Sequence, residues 1–206
     1  MTPVLSRLAF VAVLFVTTFF AGPARADAGV LVAAAQNCQE RPLERPFLRW
    51  VDPMQYFLAP DGSFSGGGSG WSWSQAGVAA ENQPWSAYSA QGPASLRLRA
   101  GGTATSPVVC VGLEHPTLRF FARSDGGLLS TLTVEVLFED AAGQVHALPI
   151  GLVTPSTRWS PTLPMPVLAN LLTLLPGERT PVAFRFRAHG GGWLIDDVYV
   201  DPYGKG

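Results

Sequence analysis

Lysine, histidine, cysteine and charge in general are scarce in this chain, and each scarcity removes a class of function. Lys205 is the sole lysine among 206 residues, and 14 basic side chains face 15 acidic ones for a formal net charge of −1. No basic stripe tracks a phosphate backbone, so nucleic acid is excluded as a partner. The three histidines, His115, His146 and His189, fall in separate turns and strands, and no H-x-x-x-H, G-x-S-x-G or Walker-type loop occurs. "GGGSGW" sets Ser69 among glycines, but Trp71 stands where a nucleophile turn needs its second glycine. Glycoside hydrolysis needs two carboxylates about 5 to 9.5 Å apart. Asp196 and Asp197 are neighbours on a strand and point apart, while Glu135 and Glu139 lie too far along theirs for the retaining geometry. The expectation is a protein that does no catalysis.

Only two cysteines are present, Cys38 and Cys110, and no C-x-x-C spacing. In an exported chain such a pair forms a structural disulfide more often than a metal site. Closing so long a loop contributes on the order of 4 kcal/mol through chain entropy. Long apolar runs are equally rare. Leu8 to Ala21, behind Arg7 and ahead of Ala24-Arg25-Ala26, has the pattern of an export signal cleaved after Ala26. It falls short of the roughly 18 residues of a spanning helix, so no membrane span is expected to be retained. Its loss takes the net charge from −1 to −3, because Arg7 and Arg25 leave with no acid. The remaining residues suffice for one domain with its own core.

What the chain has in quantity is period-two alternation. "SLRLRA" sets Leu96 and Leu98 opposite Arg97 and Arg99; "TLRFFARS" sets Leu118, Phe120 and Ala122 opposite Arg119, Phe121 and Arg123. "STLTVEVLFED" and "PVAFRFRA" repeat the device, with Leu132, Val134, Val136, Phe138, Val182, Phe184 and Phe186 inward. Half-buried strands joined by "SDGG", "EDAAGQ" and "AHGGG" predict an antiparallel sheet with one wet side. Eight to ten such strands make an all-β sandwich or jelly roll over residues 61–206. The segment 27–60 carries Pro42, Pro46 and Pro53 and reads as an irregular arm, after a signal peptide over 1–26. "PVLANLLTLLPGER" predicts one short helix near 166–175, begun by Pro166 and stopped at Pro176-Gly177.

Two segments resemble the carbohydrate-binding-module type of jelly roll, also called galactose-binding-like. Its opening signature, G-F-E-x-G…G-W, is approached by "APDGSFSGGGSGWSWSQ" with Phe64, Gly70 and Trp71; its closing I-D-D-V-x-V by "WLIDDVYVD". "VGLEHPTLRFFARS" also resembles uncharacterised exported actinobacterial proteins, which implies no activity. The first resemblance implies a structural calcium held by an aspartate of the last strand and groups of the first, here Asp196 and Asp61. Ser65 replaces the family glutamate and removes one anionic ligand, and the alternative is Asp196 satisfied by backbone N–H groups or an arginine, with Asp197 solvated. Uninterrupted alternation puts Asp196 inward with Val198 and Val200, and Asp197 outward with Ile195 and Tyr199. Trp71 and Trp73 share parity and are expected in the core.

Sugar rings stack on aromatic faces while polar neighbours bond their hydroxyls. Trp85 and Tyr88, beside Asn82 in "ENQPWSAYS", are the first candidates for such a contact; Phe121 and Arg119, on an arginine-lined face, are the second. The expectation is a secreted, noncatalytic binding domain for a glycan or cell-envelope partner. The alternative is a structural or protein-interaction domain of the bacterial exterior with no sugar ligand.

Overall fold

A corner made of two glycines organises the molecule. In the computed structural model, which describes residues 30–35, 41–85, 87, 93–112, 115, 117–167 and 179–201, strand β3 (Ser95–Thr105) runs through Gly101 and Gly102. Gly101 takes φ +79°, and a Cβ on Gly102 would lie 2.6 Å from the Gln75 carbonyl and 2.8 Å from that of Arg99. Only glycine fits so tight a bend. The neighbouring strand β2 (Ser72–Ala79) bends with it, through Gln75 at φ +52° and a register shift between Ser74 and Ala76.

The first half of β3 pairs with β11 (Trp193–Val200), its second half with β10 (Thr180–His189). One layer therefore contains β6 (Thr131–Glu139), β7 (Val145–Val153), β10 and the end of β3, with β4 (Val109–Val111) against β10. The other contains the start of β3, β11, β5 (Thr117–Ser124), and the short edge strands β8 (Ser160–Pro161) and β9 (Met165–Pro166). Every pairing is antiparallel. This is the jelly-roll sandwich that the alternation implies.

The inward sets meet between the layers. Leu132, Val134, Val136, Val182, Phe184 and Phe186 from one side pack with Leu96, Leu98, Leu118, Phe120, Trp193 and Ile195 from the other, all fully buried. The opening segment lies beside the closing one: β1 (Phe57–Leu58) pairs with β11. Ala59 N–H donates to the Val198 carbonyl at 2.8 Å, and Val198 N–H to that of Gly62 at 3.1 Å. Phe64 and Trp71 both enter the core, 4.9 Å apart. Trp73 does not; it is 37 % exposed and lies over Gly68, where a Cβ would meet its ring at 2.4 Å. An edge strand offers the second tryptophan no facing layer.

Two further expectations meet the structure differently. Pro166 does not begin a helix: it pairs with Thr117 as part of β9, and Val167 after it is buried in the core. A proline is tolerated on an edge strand, where its missing N–H costs no ladder bond. The rest of the expected helix, 168–175, lies outside the described residues, as do the expected signal segment 1–26, Tyr88 and Cys38. Cys110 sits half-buried on β4 opposite Pro181. Among the described residues no helix is long and apolar enough to cross a membrane.

The arm is less irregular than its prolines imply. Glu44 and Tyr56 form an isolated antiparallel bridge, a 3₁₀ turn spans Leu48–Trp50, and α1 (Val30–Ala34) lies on the outside of β6 and β10 over Leu137 and Ala183.

Candidate functional site

The outer face of β5 and β11 carries a second apolar cluster, and the arm covers it. Phe47, Tyr56, Phe121 and Tyr199 are buried there, with Trp50, Met54, Leu58, Trp85 and Trp159 packed around them. Phe121 does point away from the main core, as its parity requires, but Phe47 lies 5.4 Å from it, Trp50 5.3 Å and Trp85 5.5 Å, and none of it is exposed. It is therefore a floor for other rings rather than a surface for a ligand. The expected contact at Phe121 is corrected accordingly.

Arg119 is likewise withdrawn from solvent. Its Nε donates to the Thr162 carbonyl at 2.9 Å, one terminal nitrogen bonds the Asp52 carboxylate, and the guanidinium lies 4.1 Å over the Phe47 ring. Tyr56 Oη donates to the same carboxylate at 2.7 Å, so burial first and then Asp52 hold its phenol far above the usual range. Arg119 is thus an anchor for the arm, and the expectation of a ligand contact there is corrected too. Sequence alone shows no sign of this pair, because 67 positions separate its members.

Three indoles remain half-exposed above this floor. Trp50 and Trp85 meet edge to face at 5.0 Å and 88°, and the Arg123 guanidinium stands 5.8 Å from the Trp159 ring. Glu81 links the rim: one oxygen takes Arg97 at 2.5 Å, the other Arg123 at 3.0 Å, and Arg97 also reaches Asp125 at 2.9 Å. Two guanidiniums and two carboxylates leave this network without net charge. A groove of about 480 Å³ opens beside Arg97 between β2 and β3. Another of about 480 Å³ lies beside Arg158 and Leu128. Of the first-choice candidates, Trp85 is in this patch, Asn82 is half-exposed in the segment leading to it, and Tyr88 lies outside the described residues. Trp159 belongs to the wider pool of aromatics that the sequence offers for stacking and Trp50 does not; long-range packing brings both to Trp85.

The two aspartates are both buried, each 2 % exposed. Strand parity fails between them. Asp197 takes φ +48°, the register on β5 shifts between Asp196 and Tyr199, and Ile195 enters the main core together with Val198 and Val200. Only an extra residue at a bulge lets odd and even positions share one face. Asp196, paired with Phe121, hence lies on the outer side beneath the 81–85 segment, which corrects the inward placement. Its oxygens accept the backbone N–H of Gln83 at 3.1 Å and of Asp197 at 2.8 Å; Asp197 accepts Gln83 Nε2 at 3.0 Å. Burial, and next the Asp197 charge, push the Asp196 carboxyl up to about 8.

These groups do not fit a calcium cage. Asp61 turns both oxygens onto its own loop, accepting Gly66 N–H at 2.9 Å and Ser69 N–H at 2.7 Å. Asp196 does the same with two other N–H donors. Carboxylate oxygens already facing amide hydrogens are not arranged around a cation, which wants six to eight oxygens about itself. Among the described residues no group of three or more His, Cys, Asp or Glu side chains could hold a metal.

Neither a protein-family model nor a curated protein matches the chain. Among solved structures it is similar to the family 22 xylan-binding domain of Paenibacillus barcinonensis Xyn10C, at 17% identity and TM-score 0.46, over 69% of this chain and 93% of that one. TmCBM61, solved with beta-1,4-galactotriose, is similar at 18% identity and TM-score 0.41, over 70% and 97% of the two chains. So is the enzymatically active domain of bacteriophage CBA120 tailspike protein 4, at 16% identity and TM-score 0.49, over 70% of this chain and 21% of that one. The chain thus spans about a fifth of that last domain. Likenesses of this order concern shape and say nothing of a ligand here.

Proposed function

We propose that the protein is an exported, noncatalytic binding domain that stacks a neutral glycan on the Trp50–Trp85–Trp159 patch. One observation carries the reading: three half-exposed indoles sit on a buried aromatic floor beside a carboxylate–guanidinium rim. A pyranose offers its axial C–H face to an indole and its hydroxyls to charged groups at the rim, a pairing that water alone satisfies less well. The rim favours neutral sugar because its arginines and carboxylates cancel. Catalysis finds no support in the acids: Asp196 and Asp197 are buried, and Glu135 is tied to Arg185 at 2.6 Å and Arg187 at 3.0 Å.

The test is a glycan array and calorimetry with wild type, Trp85→Ala and Trp159→Ala, each checked for an unchanged fold. Binding to neutral glycans that falls about two- to tenfold in both variants supports the proposal, since losing one stacking ring removes about 0.5–1.5 kcal/mol. Flat responses to every glycan, or variants that bind like wild type, refute it. A protein-interaction role is the second reading. It is favoured by the adjacent Leu128 and Leu129, 96 % and 87 % exposed at the β5–β6 turn.

A further inference from the structure

The 81–85 segment has no regular secondary structure, yet it holds the Trp85 ring against Phe121 and Trp50. Glu81 ties its start to Arg97 and Arg123, and Gln83 ties its end. Gln83 is 2 % exposed, unusual for a glutamine beside a proline in a surface turn. Its backbone N–H donates to Asp196 Oδ2, its Nε2 donates to Asp197 Oδ2 at 3.0 Å, and its Oε1 accepts the Trp85 N–H at 2.6 Å. Donor and acceptor ends of one amide are thus both used, one toward the strand and one toward the tryptophan.

We propose that Gln83 is the positioning residue of the aromatic patch, a clip that ties Trp85 to the bulged aspartate pair of β11. The proposal rests on the glycan reading for its purpose but not for its geometry. An amide can join a carboxylate acceptor to a backbone donor in this way: a carboxylate there would offer Asp197 no hydrogen, and an apolar residue would leave both ends unmet. The bulge at Asp197 is what brings two successive carboxylates under one glutamine, so the irregularity of β11 acquires a use. The opposing residue on β5, Phe121, is apolar, and the nearby acid Glu81 is held by Arg97 and Arg123.

The experiment labels the protein with 5-fluorotryptophan and assigns the Trp85 resonance by Trp85→Phe. Gln83→Met, equal in length but unable to hydrogen-bond, is expected to shift the Trp85 signal toward that of a solvated indole while the Trp71 and Trp193 signals stay. Gln83→Glu is expected to do the same at high pH, once the introduced acid ionises against burial and the Asp197 charge, and to recover toward wild type at pH 4.5, where it is protonated and again donates. A Trp85 signal unmoved in both variants overturns the proposal, as does movement of all tryptophan signals together, which reports a general structural loss. Glycan affinity is measured on the same samples. A clip confirmed by fluorine spectra in a protein that binds no glycan separates failure of the functional reading from failure of this one.

Discussion

Asp52→Ala tests whether the arm is bolted to the sandwich at Arg119. In the wild type the Arg119 side chain is 7 % exposed and that of Asp52 14 %, so the pair is screened little by water. Removing the carboxylate leaves a guanidinium with the Thr162 carbonyl and the Phe47 face as partners. It also takes the acceptor from Tyr56 Oη and from Met54 N–H. Breaking a buried pair from one side costs about 3–5 kcal/mol, most of it the uncompensated charge. For a domain of this size that lowers Tm by roughly 6–20 °C. The double variant Asp52→Ala, Arg119→Met removes the stranded charge and is expected to recover more than half of the loss. Urea unfolding followed by tryptophan emission reads both. An Asp52→Ala midpoint within about 1 kcal/mol of wild type, or a double variant worse than the single one, would refute the reasoning, because the cost would then not be electrostatic.

Stability is expected to fall as pH rises from about 4 toward 8, by at most about 1.4 kcal/mol per pH unit for one proton. Asp196 titrates near 8 when folded against 3.8 as its ordinary value, so across that window the folded state holds a proton the unfolded chain has lost. Asp201, raised to about 6 by burial, acts in the same direction; urea midpoints at pH 5, 7 and 9 check this, and Asp196→Asn should flatten the slope. Calcium and chelator are expected to give the same melting curve, since Asp61 and Asp196 are spent on N–H donors; a calcium-dependent rise in Tm would show that other groups make a site. A bridge between Cys38 and Cys110 is proposed, and intact-mass analysis before and after reduction, with unfolding of the reduced form, should show a loss of about 4 kcal/mol.

Period-two alternation made the sandwich legible in the sequence. Leu118, Phe120, Val134, Val136, Phe184 and Phe186 could be placed inward because a strand's own geometry decides which residues share a face. Glycine pairs marked the turns, and the opening and closing signatures marked two segments that do lie side by side. Trp85 is a candidate from sequence because it lies near a predicted turn with Glu81, Asn82 and Gln83. What alternation does not record is what covers the outward face. Phe121 and Arg119 read as exposed because the residues that bury them, Phe47 and Asp52, come from an arm some 70 positions earlier. The bulge at Asp197 was equally hidden: a single left-handed residue reverses parity for the rest of a strand, and its cost is met by tertiary contacts rather than by local preference. The sequence by itself thus determined which residues could face inward together, a matter of backbone period. Only the tertiary structure decided which outward residues stayed in water, because that depends on where a distant segment comes to rest.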